Sequence, residues 1–209
     1  VKLAELNPGA FLNTQPQLKR QSPRQIQSFY KEVSKDTYQT HVLLGCRSFS
    51  YTDDKRIVLY LINNLLGGPA MNSRLNVSLR EKNGLVYNVE SNMTSYTDTG
   101  FFSLYFGTED KSVDKSMRLV RKELDRLCDE ELTPTALFAA KKQLKGQMSL
   151  LNENRENLFL SFGKSLLRFN RFESLNDMSE RIDRISADKV LAVARELFAS
   201  DNLSTLIYR

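Results

Sequence analysis

An arginine and a tyrosine seven residues apart are the side chains of this 209-residue chain best suited to chemistry. In LREKNGLVYNVES, residues 79–91, Arg80 closes a predicted helix, Asn83-Gly84 reverses the chain and Tyr87 lies on the following strand. A helix, a tight turn and an antiparallel return can bring a guanidinium and a phenol to one edge of a sheet. Two such donors could hold a peptide carbonyl and stabilise charge developing on its oxygen.

A structural alternative explains the same two residues. Arg80 could complement the C-terminus of its helix while Tyr87 packs under the helices. The spacing alone favours this alternative, so both interpretations stay open at the level of the residues.

Other candidate groups favour structural roles. His41 lies in an apolar strand in phase with Leu43, which is typical of a partly buried, hydrogen-bonded histidine. Cys46 ends that strand with no second histidine to activate it, and Cys128 lies on the inward face of a predicted helix. Gly67-Gly68-Pro69 before a helix could present N–H groups to an anion, but a turn between helices is the more common meaning of this pattern.

The composition excludes several kinds of site. With one histidine and two cysteines, the chain cannot build a site that needs two or three imidazoles or four thiolates, so any metal must come from elsewhere. G-x-S-x-G, a P-loop, G-x-G-x-x-G and H-E-x-x-H are all missing. The sequence contains no uninterrupted run of about eighteen apolar residues, the length needed to span a bilayer. The compartment is left undetermined.

The net charge of +5 and the pI near 9.2 raise the question of nucleic-acid binding. Residues 1–35 hold six bases and two acids, a net charge of +4, which leaves 24 bases against 23 acids in residues 36–209. The folded part is therefore nearly neutral. The Lys/Arg-rich stretch 111–126 is interleaved with acids and is typical of a solvated helix face.

The periodicity predicts a mostly antiparallel sheet with helices. The first predicted elements are a strand over 36–47 and a buried helix that follows an N-cap at Thr52 and ends at Gly67-Gly68. A second helix is predicted to begin at Pro69, with Met71, Leu75 and Leu79 inward, and it precedes a hairpin of strands over 85–96 and 101–108. Helices are then predicted beyond Asp110 and from Thr133-Pro134, followed by further helices, of which Ser186 caps the last, and by a strand over 203–208.

Alternation assigns the faces of the hairpin. The first strand is predicted to place Leu85, Tyr87, Val89, Ser91 and Met93 on one face, and the second to place Phe102, Leu104 and Phe106 together. In the helix after Asp110 the inward positions are Val113, Met117, Val120, Leu124, Leu127 and Cys128, and in the next they are Leu137, Leu144, Met148 and Leu151.

This order predicts an α+β fold, a two-layer sandwich whose mostly antiparallel sheet is covered on one face by helices. Residues 1–24 contain three of the five prolines and no sustained periodicity, which indicates an extended arm or interdomain linker. Residues 25–209 form the predicted domain.

The stretch LLGGPAMNSRLNVSLREKNGLVYNVESNMTSYTDTGFFSLYFGTED, residues 65–110, resembles the second homologous domain of the pitrilysin, insulinase and mitochondrial processing peptidase superfamily, the inverzincins. The motif residues fall in the order expected for that domain: Asn72-Ser73-Arg74-Leu75, Arg80-Glu81-Lys82, Gly84-Leu85, Tyr87, Asp98, Gly100 and Gly107-Thr108. The segment Gln39-Thr40-His41-Val42 to Gly45 resembles that domain's entry strand. The similarity runs from about residue 25 to the end.

The resemblance implies the same sheet-and-helix fold in a two-half clamshell that closes around an extended peptide. It also implies that zinc is held in a partner domain or subunit by an H-x-x-E-H motif, where a glutamate activates the metal-bound water. Arg80 and Tyr87 match the residues that bind the substrate backbone near the scissile bond. The chain has no H-x-x-E-H, so the resemblance implies no cleavage by this chain alone.

Two functions therefore stand as hypotheses. The first is the substrate-clamping domain of a zinc-dependent endopeptidase acting on peptides or unfolded segments, with Arg80 and Tyr87 as catalytic and substrate-binding residues and a dimer or clamshell as the assembly. The alternative is a non-catalytic scaffold domain of the same family. Nucleic-acid binding would require a basic face on the folded part.

Overall fold

The computed structural model describes residues 23, 27–35, 37–170 and 174–209, without the side chains of residues 168, 169 and 200. The predicted arm over residues 1–24 lies almost entirely outside this part, so its boundary with the domain stays a prediction. The carbonyl of Pro23 accepts a hydrogen bond from Arg47 Nη1 at 3.0 Å.

One five-stranded sheet forms the first layer, with the order β1-β5-β2-β4-β3. Every neighbouring pair is antiparallel except β1 and β5, which are parallel, so the predicted mostly antiparallel sheet is confirmed. The strands are β1 Tyr30–Val33, β2 Thr40–Ser48, β3 Val86–Ser95, β4 Gly100–Thr108 and β5 Ser204–Tyr208.

Helices form the second layer. They are α1 Lys55–Gly67, a π-helical segment Asn76–Glu81, α2 Val113–Asp129, α3 Pro134–Glu153, α4 Arg155–Phe169, α5 Leu175–Asp183 and α6 Ala187–Phe198, with 3₁₀ turns at Asp110–Ser112 and Ser200–Asn202. Across the described part of the chain, none of these helices is both long and apolar enough to cross a membrane.

The hydrophobic core lies between the helices and one face of the sheet. The inward residues of β4, Phe102, Leu104 and Phe106, are fully buried, as the alternation predicts. The ring of Phe102 lies 5.1 Å from that of Phe198 in α6, centroid to centroid. Because α1 packs on β3 and α6 on β2, the α+β sandwich with helices over one face is confirmed.

The helix stripes agree with the predicted inward faces except near the ends of helices. In α2 and α6 the predicted apolar positions are buried or half-buried. Leu151, which was predicted to face inward from α3, is 59% exposed. The predicted N-cap Thr52 is also wrong, because α1 begins after Asp54.

The helix predicted to begin at Pro69 is wrong in its first turn. Turns and bends occupy residues 68–73, helical residues begin at Arg74, and Met71 is 65% exposed, whereas Leu75 and Leu79 are fully buried. The side chain of Asn72 donates a hydrogen bond to Gln143 of α3. This contact holds the chain as a loop at this position instead of a helical turn.

Strand β1 was not predicted, because its residues carry no inward-outward alternation and are mostly exposed. Its regularity comes from parallel pairing with β5, where Tyr30 lies opposite Thr205 and Val33 opposite Tyr208. Arg209, which follows β5, forms ion pairs with Glu32 of β1 and with Asp110 in the 3₁₀ turn after β4. Contacts between distant parts of the chain therefore create this strand.

Candidate functional site

Arg80 lies in the π-helical segment between α1 and β3. The Lys82 amide donates to the Val77 carbonyl at 3.0 Å, the five-residue spacing that widens the helix. Leu79, fully buried, anchors the segment to the core. Because its neighbour points inward, Arg80 is directed away from the core.

The Arg80 side chain is about half exposed and only weakly paired. It pairs with Glu81, whose Oε1 lies 3.9 Å from Arg80 Nε, and both side chains are about half in solvent. An exposed ion pair at this distance contributes little, since water screens it. The guanidinium therefore keeps donors for a further ligand.

The predicted reversal at Asn83-Gly84 is confirmed. Gly84 has φ +57°, the left-handed region that glycine adopts without the steric cost of a Cβ. Its amide donates to the Arg80 carbonyl at 2.9 Å, and the Leu85 amide donates to the Leu79 carbonyl at 2.9 Å. These two hydrogen bonds close the turn and bring the chain back directly from the Arg80 segment into β3.

Tyr87 occupies a β-bulge at the start of β3. Val86 pairs with Thr108 and Asn88 with Gly107, so Tyr87 is an extra residue with no opposite partner on β4. A bulge of this kind reorients a side chain. Tyr87 is 66% exposed, whereas Val86 and Val89 are buried.

The bulge corrects the sequence prediction for Tyr87. Strict alternation places it on the same face as Val89 and Ser91, both of which are buried. The extra residue moves Tyr87 off that face. Its exposure also rules out the structural alternative in which Tyr87 packs under the helices.

Two charged residues lie near Tyr87 that the sequence patterns do not predict. Lys111 Nζ lies 2.8 Å from Glu109 Oε2. The hydrogen bond that Lys111 donates to this glutamate is the main cause of the raised pKa of Lys111, and Tyr87 contributes to the same shift. Val86–Thr108 pairing brings this corner of β4 next to Tyr87, and no spacing in the sequence signals it.

Arg80 and Tyr87 thus lie at the two ends of one closed turn, and both are exposed. This turn leads into β3, which forms one edge of the sheet. No hydrogen bond joins the two side chains within the described part of the molecule. The structure therefore brings two hydrogen-bond donors to the same end of an edge strand. Such a pair can engage carbonyl oxygens of an extended chain.

His41 has the structural environment that its sequence context predicts. It is half-buried in β2, with Nδ1 2.8 Å from the Tyr105 hydroxyl and its ring stacked on the tyrosine at 6.0 Å.

Both cysteines lack the setting of a nucleophile. Burial raises the pKa of the Cys46 thiol to about 12 and is the main cause of the raised pKa of Cys128. A thiol is nucleophilic as the thiolate, so neither group is activated at neutral pH.

The Gly67-Gly68 turn is shaped by packing. A Cβ on Gly67 would lie 2.6 Å from the Ser91 amide nitrogen, and one on Gly68 would lie 2.7 Å from the Asn64 carbonyl oxygen. The Gly68 amide donates to that carbonyl at 3.3 Å, and no helix starts at Pro69. These features support the structural interpretation of this turn over an anion site.

The basic stretch on α2 is neutralised by its own acids. Arg121 Nε donates to Asp125 Oδ1 at 2.6 Å, and Arg126 Nε donates to Glu130 Oε2 at 3.2 Å. Acidic and basic residues together line a shallow depression of about 560 Å³ on this helix. The helix therefore does not present the continuous positively charged surface that nucleic-acid binding requires.

The described residues do not fit a zinc site. Over residues 27–35, 37–170 and 174–209, no group of three or more His, Cys, Asp or Glu side chains is arranged to hold a metal ion. His41 and Cys46, which have the preferred zinc-ligand types, are respectively hydrogen-bonded and buried.

Comparison with known proteins identifies the family. The family model described as "Peptidase M16 inactive domain" matches residues 2–144. The chain is 36% identical over 165 residues to an uncharacterized zinc protease of Streptomyces coelicolor, covering 79% of this chain and 36% of that protein. It is 30% identical over 173 residues to an uncharacterized zinc protease of Bacillus subtilis, covering 83% and 42%.

A solved structure agrees. The peptidase M16 inactive domain of Pseudomonas fluorescens superposes with a TM-score of 0.78 at 21% identity, covering 90% of this chain and 45% of that one. The chain thus spans less than half the length of these three proteins. The chain belongs to the peptidase M16 family, as an inactive domain of its zinc-protease-like members.

Proposed function

We propose that this domain clamps the substrate of a zinc-dependent endopeptidase, with Arg80 and Tyr87 binding the backbone of an extended peptide. The observation that carries the proposal is the bulge at Tyr87, which turns the phenol out of the core at the far end of the turn that begins at Arg80. The zinc would be bound by another domain or subunit, since the described residues offer it no site.

The two side chains have complementary roles. Arg80 can offer parallel N–H donors to a carbonyl oxygen, and its charge strengthens these bonds. Tyr87 supplies one phenolic donor from the strand side of the turn. A peptide that is held at two points keeps a fixed register. The peptide therefore loses its orientational entropy when it binds rather than in the reaction step.

The test uses the longer active enzyme, or its zinc-bearing partner together with this chain. Arg80→Ala and Tyr87→Phe should each lower kcat/KM for a quenched fluorescent peptide by roughly tenfold to a hundredfold, because losing one hydrogen bond to the peptide backbone costs about 1–3 kcal/mol. Both side chains are exposed, so thermal stability should not change.

Matched controls use residues of the same type outside the proposed site. Arg118→Ala alters an exposed arginine on α2, and Tyr96→Phe alters an exposed tyrosine directly after the other end of β3. Both controls should retain full turnover. Unchanged turnover in Arg80→Ala and Tyr87→Phe together would reject the clamp and favour the scaffold alternative.

A further inference from the structure

The side-chain amide of Gln39 lies on the outward face of the sheet, the face away from the helices. Gln39 directly precedes β2, and a Cβ built on Gly107 of β4 would lie 3.2 Å from Gln39 Oε1 and 3.3 Å from Gln39 Nε2. Phe106 and Thr108, the neighbours of Gly107 in β4, are fully buried, so a Cβ on Gly107 would point outward. The Gln39 amide therefore covers Gly107 on that face.

Gly107 is also the residue that lies opposite the bulge at Tyr87. Asn88 of β3 pairs with Gly107, and Tyr87 is the extra residue directly before Asn88. In a bulge two residues of one strand oppose one residue of the other, so Tyr87 and Asn88 share Gly107 as their neighbour. Both are exposed. Since neighbouring strands lie about 4.8 Å apart, the Gln39 amide rests about one strand spacing from the backbone of Tyr87.

The position of Gln39 is fixed by contacts of the residues around it. The Thr37 hydroxyl donates to the Gln39 carbonyl at 2.9 Å, and the Thr40 hydroxyl donates to Asp110 Oδ1 at 3.1 Å. Gln39 itself is half-buried, and its side-chain amide makes no hydrogen bond within the described part of the chain. A side chain that is already ordered loses little conformational entropy when it binds a ligand.

An amide side chain complements the donors of the clamp. The Arg80 guanidinium can only donate hydrogen bonds, and in the proposed clamp the Tyr87 phenol also donates, so these two groups bind carbonyl oxygens. An extended peptide carries an N–H group as well as a carbonyl on every residue except proline. The Gln39 amide has a carbonyl acceptor beside an N–H donor, and it can therefore pair with both groups of the peptide backbone.

We propose that Gln39 is a third substrate-binding residue of the clamp, and that its amide pairs with the backbone of the extended peptide beside the residue held by Tyr87. The proposal rests on the proposed function of Arg80 and Tyr87. Gly107 acts as a positioning residue, because the absence of a Cβ lets the amide lie against the sheet. The contact involves only the peptide backbone, so it should bind extended peptides of different sequence equally.

The experiment measures kcat and KM separately for quenched fluorescent peptides, with the longer active enzyme or with this chain and its zinc-bearing partner. Gln39→Leu keeps the approximate size of the side chain and removes both hydrogen-bonding groups. We expect KM to rise by roughly tenfold for two peptides of unrelated sequence, with kcat changed by less than about twofold, because the same bonds form in the bound substrate and in the transition state.

Gly107→Ala displaces the same amide from the sheet side. The new Cβ would lie 3.2 Å from Gln39 Oε1, too close for ordinary packing, so the amide must move. KM should rise by roughly threefold in Gly107→Ala and should not rise further when Gly107→Ala is added to Gln39→Leu, which has no amide to displace. A general loss of folding would instead appear as a lower Tm in both single variants.

Asn92→Leu is the matched control. Asn92 is an exposed amide side chain of β3, opposite Ser103 of β4 and towards the other end of the strand from Tyr87. It lies on the outward face, because Ser91 before it is buried. The same change from amide to leucine at this position should leave both KM and kcat unchanged.

Two results would overturn the proposal. The first is an unchanged KM in Gln39→Leu when Arg80→Ala and Tyr87→Phe lower turnover, because the clamp would then work without Gln39. The second is an equal rise in KM in Gln39→Leu and Asn92→Leu, which would show a general effect of apolar substitution on the sheet. If Arg80→Ala and Tyr87→Phe leave turnover unchanged, the proposed function fails and the role of Gln39 fails with it, so the two failures are distinguished by which variants keep full turnover.

Discussion

The side chain of Asn72 donates a hydrogen bond to Gln143 Oε1 at 2.8 Å and so ties the loop before the Arg80 segment to helix α3. Gln143 Nε2 in turn donates to Oδ1 of Asn64 at 3.2 Å, and Asn64 is buried in α1. The amide of Asn64 also donates to Gln147, one turn along α3. This network of side-chain amides links three separate parts of the chain next to the candidate site.

Removing the central amide should destabilise the domain. Gln143→Ala leaves the buried Oδ1 of Asn64 and the amide of Asn72 without their partner, and we expect a loss of about 1–2 kcal/mol in the free energy of unfolding. Urea denaturation followed by circular dichroism measures it. Lys142→Ala, an exposed neighbour on the same helix, is the control and should change stability by less than about 0.5 kcal/mol.

The network should also hold the loop in place. In the Gln143→Ala variant, we expect faster hydrogen exchange of amides in residues 70–77 than in β4, because the loop loses its contact with α3 while the core strand does not. Uniform exchange changes across the domain would show that Gln143 acts on global stability alone.

Gly84→Ala should destabilise the turn between Arg80 and Tyr87 by about 1–2 kcal/mol. The φ of +57° imposes the cost of the left-handed region on any residue with a Cβ. The space around Gly84 is open, so steric contact adds nothing to this cost. Urea denaturation gives the difference.

Two other substitutions make the cause specific. Gly84→Asn should cost less than Gly84→Ala, since asparagine tolerates this region better. Gly146→Ala, at an open position inside α3, should stabilise the domain by about 0.5–1 kcal/mol. Equal losses in Gly84→Ala and Gly84→Asn would contradict the conformational explanation.

The Cys46 thiol should resist alkylation in the folded protein. Burial raises its pKa to about 12, so the reactive thiolate is scarce at pH 8, and raising the pH to 10 should still leave Cys46 largely protected. Iodoacetamide labelling followed by peptide mass spectrometry resolves the two cysteines. Half-buried Cys128 should react first, and both should react quickly in urea.

The raised pKa of Cys46 also makes the stability of the folded domain depend on pH. The folded-state pKa lies above the unfolded value near 9, so this contribution is complete below pH 9 and is lost as the pH rises towards 12. Rapid native-state labelling of Cys46 at pH 8 would contradict the burial of this thiol in the core.

Local patterns were sufficient to predict most of the fold. The alternation in β4 and the helical stripes of α2 and α6 identify their buried faces, because these elements pack against a single neighbouring layer. The turn at Asn83-Gly84 was equally predictable, since its conformation depends on glycine itself. Prediction failed for β1, which exists only by pairing with a strand about 175 residues away.

The residue types of the candidate site, and the turn that joins them, are determined by the sequence alone. Whether Tyr87 is buried or exposed was decided only by the tertiary structure. Period-two alternation assumes one residue on β3 for each residue on β4, and the bulge between Val86 and Asn88 breaks that count. One extra residue shifts a side chain to the other face of the sheet, and only the pairing with β4 determines where that residue is inserted.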